Sequence, residues 1–294
     1  MKFAIHYTNL FRYYDEIDEV LFDFKDINRD QIIDFIPSIV KKDNQKIILN
    51  ISEIETGTIP DILPYLLKLK NIHPNFLVQI DLITQKDIIE LLKDNNLEFM
   101  FINYCNNYEL FYSMIKLGAK DIYIVEALAF DLELLQKIRK EKNIRFRILP
   151  DIAQSAVGSA TAIPEITKFW VRPEDIELYE KYVDVFELVH IDERQSVTYE
   201  IYKQQQWLGD LSDLILDLNL EINNINLNPR FAFNRIGCRK KCMLEKCNLC
   251  QEIYNLSKKL GEAGISIIKE KKKSEIPQEE KEKLLQSLKA KNNL

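Results

Sequence analysis

Glycine is scarce in this chain, with 7 in 294 residues. No glycine-rich phosphate loop follows an early strand-like run, and neither a Walker A nor a G-x-G-x-x-G segment occurs. That disfavours a P-loop NTPase and a dinucleotide-binding doubly wound sheet. G-x-S-x-G and H-E-x-x-H are missing too, which sets aside a serine hydrolase and a zincin. The three histidines, His6, His73 and His190, are too scattered to suggest a triad or a histidine-rich metal site. A basic excess is also lacking. Lys+Arg number 40 against 46 Asp+Glu, a formal net charge of -6, which argues against a general duplex-binding protein. No apolar run approaches the ~20 residues of a membrane span. The opening Met1-Lys2-Phe3-Ala4-Ile5-His6-Tyr7 has no h-region or cleavage motif. The expectation is a soluble, cytoplasmic protein with no membrane partner.

What the chain does have is apolar mass, at 46% hydrophobic residues. Much of it lies in short runs at residues 3–6, 19–24, 46–51, 76–80, 98–102, 121–125, 145–149, 168–171 and 184–188. Their apolar density fits strands buried on both faces of a parallel sheet. Between them, residues 30–40, 59–69, 85–92, 108–117, 131–139 and 173–182 carry helical spacing. Pro37 and Pro64 fall inside two of these segments and argue against their continuity. Pro60 and Pro173 stand where a first helical turn accepts proline, and Gly118 stands where a helix ends. Regular strand–helix alternation implies right-handed βα units. Eight or nine strands favour an α/β fold of the TIM-barrel-like (β/α)8 type over a doubly wound sheet. The pattern assigns residues 1–192 to the barrel core and 193–264 to a helical, Cys-rich C-terminal extension. Residues 265–294 form a charged tail. Within the extension, 193–218 reads as one long helical region and 221–227 as a short strand.

The extension holds Cys238, Cys242, Cys247 and Cys250, spaced C-x3-C-x4-C-x2-C. In a reducing compartment such clustering points to metal binding more than to disulfides. Four thiolates satisfy a tetrahedral zinc or a [4Fe–4S] cube equally. A single CxxC and a short loop between the pairs suit the cube better than the paired knuckles of zinc sites. Arg235, Arg239, Lys240, Lys241 and Lys246 surround the thiols and would offset their charge, contact solvent or face RNA. Cys105 stands apart and reads as a core or barrel-rim thiol.

Two stretches resemble the U32 peptidase-like family. The first is Leu117-Gly118-Ala119-Lys120-Asp121-Ile122-Tyr123-Ile124-Val125-Glu126-Ala127-Leu128. It is similar to the family's leucine–glycine, strand, acidic residue and helix segment. The second runs from Val183-Asp184-Val185-Phe186-Glu187-Leu188 through Glu193-Arg194 to Tyr199 and Tyr202. It is similar to the family's valine–aspartate, strand, glutamate–glycine–arginine and tyrosine-bearing helix signature, without the intervening glycine. The resemblance covers about residues 45–205. It implies a TIM barrel and oxygen-independent hydroxylation of RNA or a quinone precursor, with a cysteine-bound iron–sulfur cluster. The family places its cysteines soon after the strand matched by 145–149. Here 151–164 has none, and the cysteines come later.

Function in a parallel barrel sits where strands end. The polar residues there are Asp23, Asn50, Glu53, Asp81, Asn103, Tyr104, Glu126, Asp151, Gln154, Arg172, Glu187 and Arg194. Of these, Glu126, Arg172, Glu187 and Arg194 are the candidate substrate-binding residues. Arg172 and Glu187, ending neighbouring strands, would clamp an anionic group or form an internal ion pair. The competing reading of each such residue is a helix cap or a pair with a neighbour. Two functions follow. One is a metal-binding, iron–sulfur enzyme related to U32-type RNA or small-molecule hydroxylation, with an electron donor. The other is a non-enzymatic binding or assembly protein with a structural four-cysteine zinc or iron–sulfur site and a protein partner.

Overall fold

A computed structural model describes residues 1–27, 31–40, 42, 44–105, 107–125, 128–129, 131–141, 143–152, 169–218, 220–223, 255 and 268–270. Eight parallel strands build the barrel. They are β1 (Phe3–His6), β2 (Glu19–Asp23), β3 (Lys46–Asn50), β4 (Phe76–Ile80), β5 (Phe99–Phe101), β6 (Asp121–Tyr123), β7 (Arg145–Ile148) and β8 (Val185–Leu188). Their order is β5-β4-β3-β2-β1-β8-β7-β6, so the first and last strands lie side by side. The remaining seam, between β5 and β6, is bridged by backbone bonds. Lys120 N donates to Phe99 O at 3.0 Å and Cys105 N to Tyr123 O at 2.9 Å. The result is a nearly closed (β/α)8 barrel.

Period-two alternation decides what each strand sends inward. In β2, Val20 and Phe22 join the large outer core beneath the helices, while Leu21 belongs to a smaller inner cluster. Ile48, Leu77, Met100, Tyr123 and Leu149 complete that inner cluster. The residues in phase with them, two or four positions away along each strand, also face the lumen. Many of these are polar or charged: Glu19 and Asp23, Lys46 and Asn50, Gln79, Asp121, and Arg145 and Arg147.

The helices on the outside are α1 (Ile32–Ile39), α2 (Ile59–Ile72), α3 (Ile89–Asp94), α4 (Tyr108–Leu117), α5 (Leu132–Glu141), α6 (Ile176–Tyr179), α7 (Gln195–Gln204) and α8 (Leu211–Leu214). Pro37 and Pro64 lie within continuous α1 and α2. Their lost backbone bonds are outweighed by buried faces carrying Ile32 and Ile36, and Ile59, Ile62, Leu66 and Leu69. Asn107 caps α4 by accepting from Leu110 N at 2.9 Å, and Gly118 ends it in the left-handed region at φ 98°.

Two expectations are corrected. Among the described residues the run at 168–171 supplies no barrel strand, with 168 lying outside them; Val171 N makes one bond to Pro150 O at 3.1 Å, and a short 3-10 turn, Pro173–Asp175, follows. The stretch 193–218 is not one helix. Gln205 adopts φ 56°, which ends α7, and Asp210 starts α8 by accepting from Ser212 N at 2.7 Å. Tyr199 of α7 packs edge-on against Phe3 at 5.5 Å, and Tyr202 Oη donates to Val171 O at 2.9 Å, so α7 covers the junction of β1 and β8. The short strand expected at 221–227 is seen as β9 (Leu220–Ile222), paired antiparallel with β10 (Ile268–Glu270). Residues 224–227 lie outside the described residues. No described helix is long and apolar enough to cross a membrane.

Candidate functional site at the carboxyl end of the barrel

Arg147 is the hub of the lumen. It is fully buried, and its guanidinium reaches in two directions. Toward the amino end of the barrel, Nη2 meets Asp121 Oδ2 at 3.0 Å and also pairs with Glu19. Arg145 pairs with Glu19 and lies 3.6 Å from Asp121, and Lys46 Nζ is 3.9 Å from Asp121 Oδ1. Toward the carboxyl end, Nη1 donates to Glu187 Oε2 at 2.8 Å. Burial alone would push the Glu19 carboxyl up, but Arg147, Arg145 and Lys46 outweigh it and hold it at about 2.

Glu187 is the hinge between this ionic floor and the mouth. It is buried and accepts from Tyr123 Oη at 2.9 and 2.8 Å and faces His6 Nε2 at 3.2 Å. Burial raises its carboxyl, yet Arg147 and His6 prevail and keep it below the usual carboxylate range. The His6 imidazole is the solvent-reachable member, with its side chain 25% exposed. Burial would lower its basicity; the bond and charge of Glu187, with Asp23 and Asp151 beyond, reverse that and raise it above 6.5. Tyr104, at the end of β5, meets Tyr123 edge-on at 5.6 Å. Burial, with Glu187 adding to it, pushes the Tyr104 phenol up to about 12. A partly exposed imidazole held by a buried carboxylate can exchange a proton with a bound molecule.

Around the rim, Asn50 Nδ2 donates to Asp23 Oδ1 at 2.6 Å, and a shallow recess is lined by Asp23, Lys25, Asn50, Glu53 and Ile54. Lys25 and Glu53 pair across it at 2.8 Å. Asp81 accepts from Ile83 N and Thr84 N, and Asn103 accepts from Leu82 N, so both serve as local caps. Asp151 is buried, where it accepts from Val189 N at 3.1 and 3.0 Å and from His190 N at 3.3 Å.

The structure separates the candidates named from sequence. Glu187 lies in the lumen, and its arginine is Arg147. Arg172 is buried and forks Asp175, Nε to Oδ2 at 2.7 Å and Nη2 to Oδ1 at 2.8 Å. Arg194 is exposed and pairs with Asp192 at 2.6 Å. Glu126, Gln154, Cys238, Cys242, Cys247 and Cys250 lie outside the described residues, as does the charged tail from 271 onward. Cys105 is buried, and burial pushes its thiol up to about 12. Sequence reasoning missed His6, Glu19, Gln79, Asp121, Tyr123, Arg145 and Arg147 as a group. The available signal was charge at alternate positions within apolar strands, as in Arg145-Phe146-Arg147.

Among the described residues, no group of three or more His, Cys, Asp or Glu side chains is placed to hold a metal ion. No protein-family model matches the chain. No curated protein matches it either. Among solved structures it is similar to a U32 peptidase, at 13% identity and a TM-score of 0.41, over 65% of this chain and 94% of that one. It is similar to a designed cube-shaped protein cage built from fused oligomeric domains, at 12% identity and a TM-score of 0.40, over 98% and 99%. A conserved protein of Enterococcus faecalis matches at 13% identity and a TM-score of 0.33, over 71% and 68%.

Proposed function

We propose that the protein is a barrel enzyme related to U32-type hydroxylation enzymes, acting on RNA or a small polar molecule at the carboxyl end of its strands. His6 is its proton-exchanging group, with Glu187 behind it. The observation that carries this reading is the polar lining of the mouth. β1, β2, β3, β4, β6 and β8 deliver His6, Asp23, Asn50, Gln79, Tyr123 and Glu187 to the inner face, where bulky branched apolar side chains dominate the layers of a (β/α)8 barrel. The sequence motifs at 117–128 and 183–202 support the same class.

The proposal includes a metal centre on Cys238, Cys242, Cys247 and Cys250. Four clustered thiolates fit a [4Fe–4S] cluster, and they fit Zn2+ as the alternative. A cluster there would supply electron transfer, with a separate electron donor, whereas zinc would hold the local fold.

The test is anaerobic purification with quantification of iron, sulfide and zinc, followed by incubation with RNA and with small-molecule extract. The enzyme reading expects iron and sulfide in cluster proportion and a product heavier by one oxygen atom, both lost in Cys247→Ser/Cys250→Ser. Product formation should also fall in His6→Gln, with the cluster retained. Colourless protein with one zinc per chain sinks the iron–sulfur version.

One observation favours the second reading, a non-enzymatic binding or assembly protein. Glu187 already has His6, Tyr123 and Arg147 as partners, as a structural staple would. On that reading no product forms, and His6→Gln changes stability alone.

A further inference from the structure

We propose that the barrel mouth holds a hydrogen-bond donor of the substrate, a hydroxyl or ammonium group, on the acceptor row of Asp23 and Gln79 beside His6. The proposal rests on the mouth being the substrate site and names the chemistry it takes.

Proton counting fixes the polarity of the row. A phenol has one proton to donate. The Tyr123 hydroxyl lies 2.9 and 2.8 Å from the two oxygens of Glu187, an ionised carboxylate that can only accept. Tyr123 therefore donates to Glu187, and toward Gln79 it can only accept. The 3.0 Å contact must be Gln79 Nε2 donating to Tyr123 Oη. That leaves Gln79 Oε1 as the acceptor, and it has no hydrogen-bond partner among the described residues although the side chain is 2% exposed. Buried acceptors are rarely left so.

The same logic applies one strand away. Ser52 N donates to Asn50 Oδ1 at 3.0 Å, so the Asn50 amide nitrogen must be what Asp23 Oδ1 accepts, at 2.6 Å. The second Asp23 oxygen has no partner among the described residues. Lys25, nearby in sequence, is already taken by Glu53. Asp23, Asn50 and Gln79 are register neighbours across β2, β3 and β4, so the two open acceptors belong to one continuous row. The recess is lined by the Asp23 and Asn50 members of that row.

Charge points the same way. The groups acting on His6 are the carboxylates Glu187, Asp23 and Asp151. The Arg147 guanidinium is engaged by Glu19, Asp121 and Glu187. A phosphate or carboxylate entering beside His6 would meet open carboxylate and carbonyl oxygens, whereas a hydroxyl or ammonium finds its complement.

The test titrates the full chain with ethanolamine, glycerol and inorganic phosphate while following the His6 ring signals by NMR. Saturable shifts with ethanolamine or glycerol and none with phosphate are expected, weakened about tenfold or more in Asp23→Ala. Asp23→Asn separates the two donors. An ammonium loses its counter-charge and weakens about as much, while a hydroxyl still finds an amide acceptor and weakens less. Saturation by phosphate instead overturns the donor class but leaves the mouth as the site. Shifts indifferent to Asp23→Ala, or no shift with any probe, overturn the proposal. The catalytic reading fails separately, when His6→Gln leaves product formation intact while ethanolamine still shifts the His6 signals of the wild-type chain.

Discussion

Arg147 and Glu187 stand on adjacent strands and meet inside the barrel, Nη1 to Oε2 at 2.8 Å. The other terminal nitrogen of the same guanidinium serves Glu19 and Asp121. One cation thus faces three buried carboxylates, and the charge below the mouth is set by a residue that does not reach it.

Arg147→Met should therefore be severely destabilising. It leaves buried carboxylates short of a counter-charge, a change that costs roughly 3–5 kcal/mol where one partner of a buried pair is removed. Urea unfolding of the variant checks this. Arg147→Lys keeps the charge but cannot fork between the two ends of the lumen, and should fall between wild type and Met. A Met variant within about 1 kcal/mol of wild type, the size of an ordinary substitution, would remove Arg147 as the hub.

Acid should act on two carboxylates in opposite senses. Glu19 is held at about 2 against an ordinary 4.5. Its stabilisation is present above 4.5 and is lost as pH falls through about 2. Asp151 is pushed by burial up to about 6 from 3.8, against the pull of His190 and of the backbone N–H groups of Val189 and His190. The folded protein binds that proton more tightly than the unfolded chain. The Asp151 contribution is thus present below 3.8 and lost as pH rises through about 6. Asp151→Asn should flatten the stability profile between those two values, read by thermal unfolding across pH. A profile unchanged by the substitution would contradict the assignment.

The His6 imidazole should titrate above 6.5 in an NMR pH series. Glu187 faces it from β8, Asp23 from β2, and Asp151 from beyond β7. Glu187→Gln should lower the midpoint, because burial then acts with less opposition. Being raised, the His6 contribution to stability is present below 6.5 and lost as pH rises through the folded midpoint. A midpoint that stays put in Glu187→Gln would mean that the 3.2 Å contact carries no charge coupling.

The ends of α4 offer a check on the scaffold. Asn107→Ala removes the acceptor for Leu110 N, and Gly118→Ala forces a side chain into φ 98°. Each should cost about 1 kcal/mol. The two sites stand at opposite ends of the helix, so the double variant should show near-additive loss in urea unfolding.

The barrel was legible because its outward faces are written in large apolar residues. Val20, Phe22, Ile47, Leu49, Phe146, Phe186 and Leu188 mark strands wherever they recur. The lumen was less legible for the same reason. Arg145 and Arg147 alternate with Phe146 and Ile148, so the run registers as a strand without showing where its charges point. Closure of the barrel, not local sequence, turns those charges inward beside Glu19. Glu187 stood out at a strand end, yet its arginine was sought in Arg172, which the next turn of chain supplies with Asp175. The stretch 193–218 was misjudged where Gln205 and Asp210, residues compatible with helix, adopt a left-handed bend and a new cap.

The lumenal ion pairs bear on how the chain can be made. Glu19 enters with the second strand, and the two arginines that hydrogen-bond it arrive 126 and 128 residues later, at Arg145 and Arg147. During synthesis the first half-barrel emerges with that acidic side chain on its inner face and only Lys46, its register neighbour on β3, as counter-charge. Closing early would bury that charge without its two hydrogen-bonding arginines, so the growing chain is better kept open until the seventh strand has left the ribosome. The barrel is thereby tied to folding as one unit, and a gene truncated before that strand should yield aggregate in place of half a barrel.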